Sequence, residues 1–423
     1  MAYSISSAAC FRWHLFCAPE GLPSARCEWF DTARLRVGVQ RMTESINGYC
    51  DPRFAAVKTV LADSIASGAD LGASFAATID GEMVVDIWGG RRDINSDARW
   101  ESDTLTNVYS TTKTMSFLCA LLLADRGQLA FDAPVARYWP EFAANGKADV
   151  KVWHLMNHAA GLSGLDQKVS TEDLYDWDKI TGLLAAQAPW WEPGSVSGYH
   201  ALTQGYLIGE VVRRISGQSL GAFFAAEIAA PLDADFYIGV PDTAFPRICD
   251  LLPPGGKDAS IGGPGDPDSI ASRTFSNPAA NALESRTDAW RRAEIPAANG
   301  HGNARSVAKI HALLACGGET QGQRLLSTET AKMIMAERIS GQDLVLGIPI
   351  AFGLGFGLNN PKAPLSPNAN TCFWGGWGGS IAIIDQDARC SIAYVMNKMH
   401  PGLVGDIRGA ALVKAFYTSL AEQ

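Results

Sequence analysis

Ser110-Thr111-Thr112-Lys113 runs straight into Thr114-Met115-Ser116-Phe117-Leu118-Cys119-Ala120-Leu121-Leu122-Leu123, and this junction decides how the chain is read. The apolar run lacks a polar stripe, so it reads as a buried helix, yet it is well short of the ~20 residues a membrane span needs. A hydroxyl and an amine therefore stand at the start of a buried helix. Positions three apart on a helix share a face, with Cβ atoms about 5–6 Å apart, so Ser110 and Lys113 come within reach at the positive end of the helix dipole. Serine and threonine are also ordinary helix caps, and a lysine three positions on is commonplace. What sets this pair apart is the cost of leaving a charged amine among aliphatic side chains. Ser306-Val307-Ala308-Lys309 has the same spacing, but there Val307, Ile310, Leu313 and Leu314 make one narrow stripe, which predicts a surface helix with Lys309 in water.

The 423 residues are 47% hydrophobic and 19% charged, which suits a soluble globular chain with a large core and room for two or three domains. A net charge of −9 and the lack of any Lys/Arg run argue against nucleic acid as a partner. The nine cysteines are odd in number, scattered and without a Cys-x-x-Cys pair. That argues against a disulfide framework or a zinc site and fits a cytoplasmic protein. No run approaches 18 apolar residues, so no membrane partner is expected either. Residues 1–41 hold three of the cysteines, and Arg12 and His14 interrupt what would otherwise pass for a secretory segment; they read as a poorly packed N-terminal extension, with Met42 as an alternative start.

Helical spacing of Phe54, Val57, Val60, Leu61 and Ile65 predicts a helix over 51–67, followed by a hairpin of strands 73–79 and 83–88 around Asp80-Gly81. The stretch from about 115 to 290 is richer in helical patterns, with irregular pieces at Pro253-Pro254-Gly255-Gly256 and Gly262-Gly263-Pro264-Gly265. Strands return at 381–384 and 391–395 about a turn at Asp385-Gln386-Asp387, before a last helix near 403–420. The expected architecture is a mixed α/β (α+β) fold. In it, 42–115 and 290–423 build a sheet domain from both chain ends, 116–289 form a mostly helical insertion, and the active site lies in the cleft between.

Two further stretches carry chemistry. Glu192-Pro193-Gly194-Ser195-Val196-Ser197-Gly198-Tyr199-His200-Ala201 precedes a helix over about 202–216, and Phe373-Trp374-Gly375-Gly376-Trp377-Gly378-Gly379-Ser380 has glycines that allow close backbone approach. A tyrosine after a Pro-Gly turn is usually a packing residue, and glycine in a strand usually marks a bulge. Taken in order, however, these motifs resemble the serine β-lactamase and penicillin-binding-protein superfamily, and most closely its family VIII carboxylesterases, over roughly residues 45–420. Ser110-Thr111-Thr112-Lys113 matches the Ser-x-x-Lys box, Tyr199-His200-Ala201 falls at the Tyr box, and Trp374-Gly375-Gly376 takes the place of the Lys-Thr-Gly strand. His158-Ala159-Ala160-Gly161-Leu162, Asn299-Gly300-His301-Gly302 and Gly353-Leu354-Gly355-Phe356-Gly357 are similar as well.

The resemblance implies a β-lactamase/transpeptidase-like fold and an acyl-enzyme on Ser110, with Lys113 and Tyr199 as acid and base. It implies an oxyanion hole from the backbone N–H groups of Ser110 and Trp377, substrate contacts from Trp374, Gly375, Gly376, His200 and Asn299, and no metal or cofactor. Lys113 must then be neutral to accept a proton. The family's cationic Lys is Trp374 here, its Thr is Gly375, and Ala201 stands where many relatives carry Asn. Uncharged short-acyl esters and weak or absent penicillinase activity are expected, with Trp190, Trp191, Trp374 and Trp377 as candidate walls of an apolar acyl pocket. An amidase, a D-amino-acid peptidase or an acyltransferase stays open on the same fold, as does a noncatalytic scaffold.

Gly217-Gln218-Ser219-Leu220-Gly221 matches the Gly-x-Ser-x-Gly elbow, with His301 or His400 as a later partner, but its preceding residues Val211–Ile215 read as helix where that motif needs a strand. His158 is expected to bond the last carbonyls of a helix. His301 is read either as a substrate contact or as a structural histidine.

Overall fold

Central strands buried along nearly their whole length lie in a sheet covered on both faces, because alternate side chains point to opposite sides. The computed structural model describes residues 45–254 and 266–422. The expected extension 1–41, the alternative start Met42 and the Gly/Pro-rich pieces at 255–256 and 262–265 lie outside the described residues. The strands are β1 (Asn47–Cys50), β2 (Gly72–Ile79), β3 (Glu82–Gly90), β4 (Ile339–Gln342), β5 (Pro349–Phe352), β6 (Gly357–Leu358), β7 (Thr371–Gly375), β8 (Ile381–Asp385) and β9 (Cys390–Met396). They form one nine-stranded antiparallel sheet in the order β1-β3-β2-β9-β8-β7-β6-β5-β4. The sheet is thus drawn from both ends of the chain, with β2 paired directly to β9. Asp80 and Gly81, both at positive φ, make the tight β2–β3 turn, as the Asp-Gly pair predicts.

The longer helices are α1 (Ala55–Ala66), α2 (Lys113–Asp125), α3 (Trp177–Ala186), α4 (Thr203–Ser216), α5 (Ala304–Ala315) and α6 (Ile407–Ala421). Phe75, Ala77, Ile383 and Ile392 face α1 and α6, where Phe54 stacks on Phe416 at 4.8 Å. Their neighbours Ala76, Ala382, Ile384 and Ala393 face the other way, toward α5 and the helical part of the chain. All of Lys113–Leu123 in α2 is buried, as its composition predicts. No helix among the described residues is long and apolar enough to cross a membrane.

One expectation is corrected here. The helix that carries Ser306 and Lys309, α5, is not a surface helix: Ala304, Ala308, Ala312 and Ala315 are buried together with Val307, Ile310 and Leu313. Alanines contribute little to an apolar stripe in sequence, yet their small side chains let the helix lie flush on the strands. Lys309 is tied down too, with Nζ 3.3 Å from the Asp233 carboxylate and 3.0 Å from its carbonyl.

Candidate active site

The chain enters α2 through a tight turn at Tyr109–Thr112. Tyr109 holds φ at +44°, the left-handed region that costs a bulky residue energy and is retained where surroundings over-determine it. Both middle residues of Ser110-Thr111-Thr112-Lys113 anchor that turn. Thr111 Oγ1 lies 2.9 Å from Ser380 Oγ, which donates to Val108 O at 2.8 Å, and Thr112 Oγ1 accepts from Gly300 N–H at 2.8 Å. Ser110 is thereby presented between the end of β7 and the loop before α5.

Lys113 is fully buried, and its Nζ lies 3.1 Å from Ser110 Oγ. It donates to the carbonyl oxygens of Ala201 at 2.7 Å and Ala297 at 2.9 Å. Desolvation pulls its pKa well below the ordinary lysine value, and no carboxylate offsets this. A neutral amine has two N–H bonds and one lone pair. With both N–H groups taken by carbonyls, the lone pair is left for the Ser110 hydroxyl proton.

Tyr199 Oη donates to Ser110 Oγ at 2.5 Å, and Lys113 Nζ lies 4.7 Å from the centre of its ring. Burial pushes the phenol well above its usual pKa, so it stays protonated at neutral pH. His158 meets this ring edge-on at 4.9 Å, and Trp374 packs against it at 5.6 Å. Asp343 Oδ1 accepts from the amides of Tyr199, Val345 and Leu346 at 3.0, 2.9 and 2.8 Å, so the loop between β4 and β5 pins the tyrosine's backbone.

Gly376 lies against Ser110: a Cβ there would stand 2.1 Å from Val108 O and 3.1 Å from Ser110 N. Neither Ser110 N–H nor Trp377 N–H has an acceptor among the described residues. The loop carrying Trp377 is braced by Arg408, which donates to Gly378 O at 2.8 Å and pairs with buried Asp70 at 2.7 Å and with Asp406. Sequence reading missed this brace, since Arg408 sits in an otherwise unremarkable C-terminal helix.

A cavity of about 60 Å³ opens in front of Ser110 and is lined by Tyr109, Leu174, Leu202, Phe275, Trp290 and Trp377. At roughly 10–15 Å³ per water molecule, it has room for a small group. Of the four tryptophans expected as walls, Trp377 lines it. Trp374 is fully buried behind Tyr199, Trp190 donates to the Asp166 carboxylate, and Trp191 donates to Val196 O. Tyr109 and Trp290 take those places. Adjacency to Ser110 could have pointed to Tyr109, whereas Trp290 carried no local signal.

His200 and Asn299, expected at the substrate, spend their polar atoms on the backbone instead. His200 Nε2 accepts from Leu162 N–H at 3.1 Å, which leaves the proton on Nδ1 to be donated to Gly198 O at 2.6 Å. Asn299 Oδ1 accepts from Ile295 N–H at 2.9 Å and its amide donates to Trp290 O at 2.8 Å, shaping the loop that offers Ala297 O to Lys113. His158 does not bond the last helix carbonyls: its Nδ1 accepts from His200 N–H at 3.0 Å. His301 is buried, with Nδ1 2.7 Å from Asn299 O, and is not among the cavity-lining residues. Ser219 caps the short helix Leu220–Phe224 and donates to Glu294 at 2.6 Å, and α4 precedes it where the elbow motif needs a strand.

The sequence matches the Beta-lactamase family model over residues 57–415, and the chain belongs to that family. It is 35% identical over 376 residues to the Esterase/beta-lactamase LipL of Mycobacterium tuberculosis (strain ATCC 25618 / H37Rv), spanning 85% of this chain and 86% of that one. The structure superposes on a family VIII carboxylesterase with a TM-score of 0.83, at 41% identity, over 89% of this chain and 100% of that one. A penicillin-binding protein homolog from Caulobacter crescentus matches with the same TM-score, identity and coverage.

Proposed function

We propose that the chain is a serine carboxylesterase that cleaves short-acyl esters through an acyl-enzyme on Ser110. The observation that carries this reading is the three-way contact at Ser110 Oγ, with Lys113 Nζ at 3.1 Å and Tyr199 Oη at 2.5 Å. Lys113 takes the hydroxyl proton as Oγ attacks the ester carbonyl. The oxygen of the tetrahedral intermediate turns toward the N–H groups of Ser110 and Trp377, each such donor being worth about 10²–10³ in rate. Tyr199 gives its proton to the departing alkoxide. Because burial makes a phenolate costly here, that transfer is coupled to return of the proton held by Lys113. Water then reverses the sequence: its proton passes to the same pair, its oxygen attacks the acyl carbon, and Ser110 leaves reprotonated.

Trp374 and Gly375, where relatives have lysine and threonine, offer nothing to hold a β-lactam carboxylate, so penicillinase activity is weak or absent. The relatives named as an esterase and a carboxylesterase support the hydrolytic reading over an acyltransferase. Hydrolysis of p-nitrophenyl butyrate and fluorophosphonate labelling test it. Both disappear in Ser110→Ala; label persisting on Ser219 would refute the assignment.

A further inference from the structure

The cavity before Ser110 has aromatic walls and one carboxylate. The Tyr109 ring centre lies 5.1 Å from that of Trp377 and 6.3 Å from that of Trp290, both tilted by 56°, and Phe275 lines the same space. Glu284 reaches it from the turn Ala282–Arg286, close enough for its charge to add to the rise in the Tyr109 phenol's pKa. Four arginines flank Glu284 in sequence, and each is engaged elsewhere. Arg273 pairs with Asp166 and lies over Trp190, Arg286 donates to Leu251 O, Arg291 pairs with Asp250, and Arg292 pairs with Asp242. No cation among the described residues pairs with Glu284. Lys113, fully used within the site, does not supply one, and the position where the family resemblance places a lysine is Trp374.

Rings converging on a small cavity that also holds an unpaired carboxylate are suited to a substituted ammonium ion. Its positive charge is attracted by the π faces and its methyl groups fill the apolar space. We propose that this cavity receives an ammonium group carried by the ester, and that Glu284 is the specificity-determining residue for it. The inference rests on the esterase reading above and sharpens it: the expectation of uncharged esters widens to cationic ones, and carboxylate-bearing substrates are disfavoured twice over.

Two isosteric pairs test this. Choline butyrate and 3,3-dimethylbutyl butyrate differ by one charge in the alcohol; p-nitrophenyl 4-(trimethylammonio)butanoate and p-nitrophenyl 5,5-dimethylhexanoate differ by one charge in the acyl group. In the wild type the cationic member of at least one pair has the higher kcat/KM, by about 3- to 30-fold. The pair that shows it tells which half of the ester enters. Glu284→Gln reduces that ratio several-fold. Equal ratios in wild type and Glu284→Gln for both pairs overturn the proposal. Binding of benzyltrimethylammonium, followed by calorimetry, reads the cavity without turnover: weaker binding in Glu284→Gln supports it, and equal or absent binding overturns it. Failure to hydrolyse p-nitrophenyl butyrate would instead end the esterase reading, with the calorimetric result still deciding the cavity.

Discussion

Lys113 Nζ ends 2.9 Å from the carbonyl oxygen of Ala297, 184 positions further along the chain. That contact and its counterpart at Ala201 occupy two corners of the amine and leave the third for Ser110. A guanidinium cannot take this role, because it does not lose its proton. Lys113→Arg is therefore expected to lose activity as fully as Lys113→Ala, by at least about 10²–10⁴-fold in kcat/KM. A lysine serving only as a positive charge would tolerate the exchange.

The pH profile follows from the same burial. The active form of Lys113 is deprotonated, and its pKa is lowered well below the usual 10.5, so kcat/KM falls when the pH drops through that depressed value. Above it a plateau extends through neutral into alkaline pH, because the Tyr199 phenol is shifted upward. Rates on p-nitrophenyl butyrate from about pH 5 to about pH 10 locate the limb. A rise delayed to the ordinary lysine range would contradict this account.

Gly376→Ala puts a methyl group 2.1 Å from Val108 O and 3.1 Å from Ser110 N. The backbone must move apart beside Ser110 N–H, one of the two donors proposed for the oxyanion. Loss of about 10²-fold or more in kcat is expected, with circular dichroism close to the wild type.

Buried histidines govern acid stability. His200 and His301 are pulled down to about 3 and His311 to about 4, in each case by burial first. The unfolded chain binds protons at its ordinary histidine value near 6.5 while the fold does not, so stability is full above that pH and declines as pH falls toward 4. At about 1.36 kcal/mol per unit, several kcal/mol are at stake for each ring. Urea midpoints at pH 7 and pH 5 measure the slope, and His311→Gln should flatten it.

Arg408→Met removes the cation that faces Asp70 and Asp406 and lets go of Gly378 O. Two buried carboxylates without their partner should cost about 3–5 kcal/mol. A fall in the thermal midpoint of several degrees checks it; an unchanged midpoint would show the cluster relaxes into water.

Much of the fold was legible because its signals are local. The Asp80-Gly81 turn, the short apolar strand runs and the unbroken apolar run of α2 each announce themselves within a dozen residues. Ser110, Lys113 and Tyr199 were legible as candidates through ordered motifs. What the sequence hid depends on long-range packing. Trp290 reaches the cavity from a short helix, Asp288–Arg292, with no chemical signature, His200 and Asn299 turn out to be backbone braces, and the alanines of α5 conceal a buried helix.

Thr78 and Ser391 share a hydrogen bond of 2.7 Å between their side chains although 313 positions separate them. A ribosome therefore releases β2 long before its neighbour β9 exists, and β2 must wait with one edge unfilled while the intervening helices emerge. Closure of the sheet is thus a late, long-range event, set by when the last strands leave the ribosome.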